Sequence, residues 1–314
     1  MSEPKRNHYN PQFYLKNFAD ERGRIWVFDR KIKQYRHQHI RDTAVQKNYY
    51  RVKTKDGGYS TEVEQFFSLV EGRASVAIDK VIKGESISEQ EKGNIALFAS
   101  FQYTRVPDFE KVNDEMTNKA IKHIDKMKFH SVEATKAILE KLREETGGEK
   151  DGNVTAEEMY EFIQSGKYSV KYPREHTIKI MLDMGQHAAG YFIQMDWRFI
   201  YTPASAAFIT TDNPFTLIPP KDYDPNSFWG VGILTPGAKK ALPIASNVSL
   251  FMDDRGDKIE GLEVSNDAVQ GINILYARTS DRFIFAREES LLREIVKLSR
   301  VEEMLLDRER IRIS

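Results

Sequence analysis

Three side chains far apart along the chain hold most of the chemistry that this sequence could perform: His8, Arg105 and Asp212. His8 opens HYNPQFYLKNF (His8 to Phe18), which packs four aromatic rings, one histidine, one glutamine and two asparagines into eleven residues. An imidazole with its ordinary pKa of about 6.5 suits proton transfer at neutral pH. The same ring among aromatics equally suits an anchor that ties down an N-terminal turn. Gln12 is then an orienting amide, or a buried turn residue. Arg105 closes the face of Phe98, Phe101 and Gln102, just before Val106-Pro107. A guanidinium there is partly buried and needs an anion, so it either clamps an internal carboxylate or binds an anionic ligand. Asp212 and Asn213, in Thr-Asp-Asn-Pro after an apolar run, stand where functional loops leave strands, and they also spell an ordinary Asx turn. In a site, Asp212 would be a base, a ligand for a divalent metal or the partner of Arg105, and Asn213 a substrate-orienting amide.

Two carboxylates join them. Glu64 and Glu71 are seven residues apart, two turns of a helix, and so share a side beside its apolar stripe. They could face a cleft; alternatively Glu64 completes a capping box with Thr61 and Glu71 pairs with a lysine. Asn273, between Ile272 and Ile274, points inward or makes a helix-to-loop hydrogen bond.

The elements that must position these groups follow from periodicity. Ile25 to Phe28, Tyr35 to Ile40 and Asn48 to Val52 are β-rich runs separated by turns, the last before Asp56-Gly57-Gly58, and predict a small antiparallel meander. Pro11 after Asn10 predicts a turn. Val63, Phe66, Phe67, Val70, Ala74, Ala77, Ile78 and Val81 then recur at helical spacing, ending near Gly84. Ser88 with Glu91 opens a second helix, a long charged helix is expected from Asp108 to Glu145, and Gly147-Gly148 begins a loop. Thr155 with Glu158 caps a short helix and Pro173 starts another. Trp197 to Tyr201, Ala207 to Thr210, Val248 to Met252 and Arg282 to Ala286 read as strands. A helix from Ser265 to Tyr276 between the last two predicts a β-α-β unit, and a final charged helix is expected from Glu288 to Arg310. The expectation is an α+β fold: 1–60 basic and β-rich, 61–195 helical, 196–314 β-rich with helices, together one composite domain.

Composition bounds the chemistry. The 314 residues include no cysteine, which excludes disulfides, thiolate metal sites and a cysteine nucleophile. No apolar stretch approaches the roughly 20 residues of a membrane span, and the first residues contain no signal-like apolar run, so a cytoplasmic bacterial protein is expected. Lysine plus arginine equals aspartate plus glutamate at 47 each, yet residues 1–60 hold 14 basic against 6 acidic residues. The densest run, Arg30 to Arg41, sets Lys31, Lys33 and Arg36 among Tyr35, His37 and His39. It either grips nucleic-acid phosphates or forms a solvated strand edge. His37 and His39 share a strand face and could hold a metal, against the repulsion of basic neighbours. Phosphate loops, the H-E-x-x-H zinc helix and the G-x-S-x-G elbow are absent.

HYNPQFYLKNF, the helix with Glu64 and Glu71, FQYTRVP, TTDNP and LPIASNVSLF together resemble a bacterial domain-of-unknown-function family, number four-two-three-eight of that series. The resemblance runs from His8 to about Phe285. Where the family shows Pro-Leu-Ser-Pro, this chain has Pro243-Ile244-Ala245-Ser246. The resemblance implies a cytoplasmic bacterial protein without an assigned activity, with phage defence as the expectation for proteins of this kind.

The resulting expectation is a hydrolase of a phosphate-containing substrate, nucleotide or nucleic acid, whose pocket gathers His8, Arg105 and Asp212 with Gln12, Glu64 or Asn213 nearby and with a divalent metal as a candidate cofactor. The alternatives are a non-catalytic nucleic-acid-binding or sensor module using Lys31, Lys33 and Arg36, or a protein-interaction scaffold built on the charged helices.

Overall fold

A computed structural model describes residues 6–53, 58–146, 154–224 and 230–304. In chain order the elements are β1 (Arg6–His8), α1 (Gln12–Lys16), β2 (Arg24–Asp29), β3 (Gln34–His39), β4 (Val45–Lys47), β5 (Val52–Lys53), β6 (Tyr59–Ser60), α2 (Glu62–Ile82), α3 (Glu89–Thr104), α4 (Pro107–Lys128), α5 (Val132–Thr146), α6 (Ala156–Ser165), α7 (Arg174–Ile193), β7 (Met195–Tyr201), β8 (Thr210–Thr211), β9 (Thr216–Ile218), β10 (Lys239–Ala245), β11 (Val248–Arg255), β12 (Ile259–Glu263), α8 (Asn266–Thr279), β13 (Phe283–Ala286) and α9 (Glu289–Ser299). The fold is α+β, with antiparallel N-terminal strands, a helical middle and a C-terminal mixed sheet with helices. The chain divides into two compact units, Met1–Phe109 with Arg174–Ser314, and Glu110–Pro173.

In the first unit a five-stranded sheet runs β12-β7-β11-β10-β9, mixed because β12 lies parallel to β7. A four-stranded sheet runs β3-β2-β13-β8. The predicted hairpin of β2 and β3 is present, but the third run of the expected meander does not join it: residues 48–50 form a turn and Val52 enters β5, which pairs with β6, while β4 just before them pairs with β1, placing His8 opposite Val45. A 3-10 turn at Ile40–Asp42 and the positive φ of Ala44 and Asn48 bend the chain out of the ladder. The β-α-β unit expected around α8 is also corrected. β11 lies between β7 and β10, whereas β13 lies between β2 and β8 in the other sheet. Apolar runs of strand length identify strands without naming their sheet.

The apolar stripe of α2 is buried from Val63 to Val81. It packs on α3 through Phe66 and Phe67, whose ring centroids lie 5.3 and 5.1 Å from that of Phe101. Phe101 also presses on α7 at Gly185, where a Cβ would collide with its ring. The capping boxes at Ser88 and Thr155 form with both hydrogen bonds, and Ser265 caps α8. Pro11 ends the expected turn and starts α1.

In the second unit, the expected helix from Asp108 to Glu145 breaks at residues 129–131, where Ser131 Oγ accepts the Ala134 N–H and caps α5. Tyr168 donates to Asp125 at 2.7 Å, and burial with that carboxylate pushes its phenol up to about 12. The Gly147-Gly148 loop and Asp56-Gly57 lie outside the described residues. The last helix stops at Ser299, with Arg300 left-handed at φ 56°; the expected continuation to Arg310 lies partly outside the described residues.

Candidate functional site: a buried polar seat at Arg105

The aromatic N-terminal segment is fixed from below. Tyr14, fully buried, shares its hydroxyl with Thr210 at 2.7 Å and donates to the Pro243 carbonyl at 2.8 Å. Asn10 donates to the Thr211 carbonyl at 2.7 Å, and the Phe13 and Tyr14 rings lie against Phe98 of α3. These anchors hold residues 7–10 in place. Gln12, in contrast, is exposed on α1.

Glu64 does not close the predicted capping box with Thr61; its carboxylate accepts from Asn7 Nδ2 at 3.0 Å. One turn further along the same side of α2 lies Ser68. Together with Thr61, Gln65 and Leu69 these residues line an open depression of about 620 Å³. At the next turn Glu71 accepts from Arg105 Nη1 at 2.7 Å. The Glu71 side chain is 27% exposed and the Arg105 side chain 1%, so the pair runs from the surface inward. The Arg105 guanidinium lies over Phe67 at 5.1 Å and Phe98 at 6.0 Å.

Tyr50 lies beside the same guanidinium and donates to the His8 carbonyl at 3.2 Å. Burial holds its phenol well above the ordinary value, with Arg105 opposing. His8 is partly buried. Burial lowers its pKa, against the pull of the Arg41 and Ile40 carbonyls and of Glu71. Its Nε2 faces the Arg41 carbonyl at 3.2 Å, which can only accept, so the neutral ring keeps its lone pair on Nδ1. His8 is linked to the Glu71–Arg105 pair through Tyr50, which bonds its carbonyl, and through a weak pull of Glu71 on its ring.

Several buried polar groups near the ends of β1 and α3 are under-satisfied. Among the described residues, Asn7 Oδ1, Asn10 Oδ1, both amide atoms of Gln102, Thr104 Oγ1 and Arg105 Nε and Nη2 have no hydrogen-bond partner. Such groups in native proteins call for an explanation, because each costs about 1–3 kcal/mol if left alone. Sequence reasoning had Gln102 only as part of an apolar face and missed Asn7 and Tyr50. The signal available was a glutamine interrupting that face one turn before Arg105.

Asp212 is elsewhere. Its carboxylate accepts three backbone N–H groups, from Asp281 at 3.0 Å, Arg282 at 2.7 Å and Phe283 at 3.0 Å. Burial and Asp281 push it up to about 7, against those donors. The partner expected for Arg105 in Asp212 is thus Glu71 instead. Asn213 donates to Asp108 at 3.0 Å and the Thr279 carbonyl at 3.2 Å, and Asn273 braces the backbone of Ala207 and Ile209. Lys31 and Lys33 are exposed in the β2–β3 turn. Arg36 faces Asp29 at 3.7 Å and lies over Phe283. His37 stacks on Trp26 and faces Asp20, while His39 caps the 3-10 turn. Among the described residues no three His, Asp or Glu side chains gather to hold a metal, so neither the histidine pair nor Asp212 has the company that such a site needs.

A family model described as protein of unknown function, DUF4238, matches residues 6–290. The chain belongs to that family. No curated protein and no solved structure matches it. The DUF4238 match spans the motifs at His8, Arg105 and Asp212 alike, and so covers both the polar seat and the braced Asp212 loop. Among the described residues no helix is long and apolar enough to cross a membrane.

Proposed function

We propose that this protein is a hydrolase of a phosphate-containing substrate, a nucleotide or nucleic acid, and that its substrate phosphate binds at Arg105. The observation that carries this reading is the unpaired edge of that guanidinium. Nη1 is on Glu71 and Tyr50 lies beside the group, while Nε and Nη2, at 1% exposure, have no hydrogen-bond partner among the described residues. Two parallel N–H groups in a dry setting match two phosphate oxygens, and the weak screening there strengthens the attraction.

His8 supplies the proton chemistry. With its pKa lowered by burial the ring is neutral near pH 7, and with Nε2–H turned to the Arg41 carbonyl its basic lone pair is on Nδ1. A water oxygen attacks phosphorus while His8 takes one of its protons. The phosphorus–oxygen ester bond breaks, and the imidazolium returns the proton to the departing oxygen. Arg105 holds the charge that grows on the non-bridging oxygens.

The test is turnover of a panel of p-nitrophenyl phosphate, bis(p-nitrophenyl) phosphate, nucleotides and oligonucleotides by the full chain. His8→Ala should lower kcat about 100-fold or more while leaving the melting temperature nearly unchanged. A wild-type protein inert toward the whole panel, or a fully active His8→Ala variant, sinks the reading.

A further inference from the structure

We infer that the seat takes a terminal phosphate, so that the substrates are phosphomonoesters rather than the bridging diesters of a nucleic-acid backbone. This rests on the hydrolase reading and narrows it.

The first observation is depth. Gln102 is fully buried and Arg105 nearly so, whereas Glu71 keeps 27% of its side chain exposed. A diester on Arg105 must send substrate outward through two ester oxygens, while a monoester needs only one path. The second is shape. Phe67 and Phe98 lie on the guanidinium, Glu71 takes one nitrogen and Tyr50 lies beside it, which leaves at most a single edge for the ligand.

The third observation is the mixture of unpaired groups. Gln102 sits one helical turn before Arg105 on the same side of α3. Its amide nitrogen is a donor for a third phosphate oxygen. Its amide oxygen and Asn7 Oδ1, also unpaired, are acceptors and need a ligand hydrogen. A monoester offers three non-ester oxygens and, as its monoanion, a P–O–H group, its second pKa being about 6. A diester anion has two such oxygens and no proton to give. Unpaired donors on Gln102 and Arg105 and unpaired acceptors on Gln102 and Asn7 therefore fit the monoester, and the diester would leave the acceptors stranded.

The experiment compares p-nitrophenyl phosphate with bis(p-nitrophenyl) phosphate on the full chain, with inorganic phosphate as inhibitor. We expect kcat/KM for the monoester to exceed that for the diester about 100-fold, and competitive inhibition by phosphate. Turnover of the diester without the monoester overturns the inference and leaves the hydrolase reading standing. Turnover of neither, nor of any nucleotide or oligonucleotide, overturns both. Gln102→Met keeps the length of the side chain and removes the amide. It should raise KM for the monoester about tenfold and weaken phosphate inhibition equally, with the melting temperature held or raised. Unchanged KM and inhibition in a folded Gln102→Met protein count against the seat as described; should that variant not fold, the wild-type comparison decides alone.

Discussion

The Asp29 carboxylate is answered on both oxygens. Arg282 grips its carboxylate with two hydrogen bonds, at 2.9 and 2.7 Å, Lys31 donates a backbone N–H at 3.1 Å, and Arg36 closes from 3.7 Å. Burial alone would raise the Asp29 pKa, and the guanidinium of Arg282 leads the contributions that bring it below the ordinary value. Next to it Asp212 spends both oxygens on backbone N–H groups. Around Arg105, in the same compact unit, Nη1 is paired and Tyr50 lies close, but Nε, Nη2 and the Gln102 amide have no hydrogen-bond partner among the described residues. Equal depth with opposite hydrogen bonding is the contrast on which the proposed seat rests: the saturated cluster braces the fold, and the other would have bonding capacity left for a ligand.

The largest test of that contrast is Arg282→Met. It leaves the Asp29 carboxylate, whose side chain is fully buried, with one backbone donor and a distant Arg36, and should cost about 3–5 kcal/mol in urea unfolding. A loss below about 1 kcal/mol would mean that the cluster is no brace. Glu71→Gln is the matching cut at the seat. It strands a nearly buried guanidinium and should cost about 2–3 kcal/mol in a phosphate-free buffer, less because the vacated edge lies toward solvent. Added inorganic phosphate should restore part of that stability by binding the folded state, and should restore none to Arg282→Met. Equal responses of the two variants would erase the distinction.

Much of the scaffold was legible because it obeys local rules. The α2 stripe, the capping boxes at Ser88 and Thr155, the cap at Ser265 and the strand at Trp197 all follow from spacing and short-range hydrogen bonding. What could not be read was pairing between distant segments. β13 joins β2 across more than 250 residues, and β4 turns back to β1 after Ala44, so neither the meander nor the β-α-β unit survives. The site divides in the same way. Burial of Arg105 at the end of an apolar face was visible, but its carboxylate could be found only by packing α2 on α3. Thr61 and Glu64 had the spacing of a capping box, and a tertiary partner, Asn7, outcompeted it. Asp212 was chosen for chemistry because a carboxylate after a strand is suggestive; its three partners are main-chain groups some 70 residues away, which carry no sequence signature.

Asp212 gives the contrast a pH axis. Its folded-state pKa of about 7 lies above the ordinary 3.8. Between those values the folded chain holds a proton that the unfolded chain has lost, so stability falls as pH rises through that window and levels off above it. Asp212→Asn should flatten this component of the melting temperature against pH, at a cost of about 1–3 kcal/mol for the backbone N–H groups left poorly matched. It should leave KM for the ester substrate unchanged, since Asp212 is no part of the seat. A raised KM in this variant would tie the two clusters together.

The smallest effect is expected at the β2–β3 turn. Lys31→Gln with Lys33→Gln removes two exposed charges, and should change stability by no more than about 0.5 kcal/mol and turnover not at all. The sharper readout is nucleic-acid retention against salt. Arg36 already answers Asp29 and lies over Phe283, and Arg30 is buried on the Ser280 carbonyl, so the basic run presents far less free charge than its composition suggests. Two lysines contacting two phosphates give a log–log salt slope of only about −2, binding that fades between low and moderate salt. If wild-type protein instead holds oligonucleotide through moderate salt and the double variant releases it, the turn is a working surface in its own right, and saturation of the charges behind it has been mistaken for the absence of a ligand.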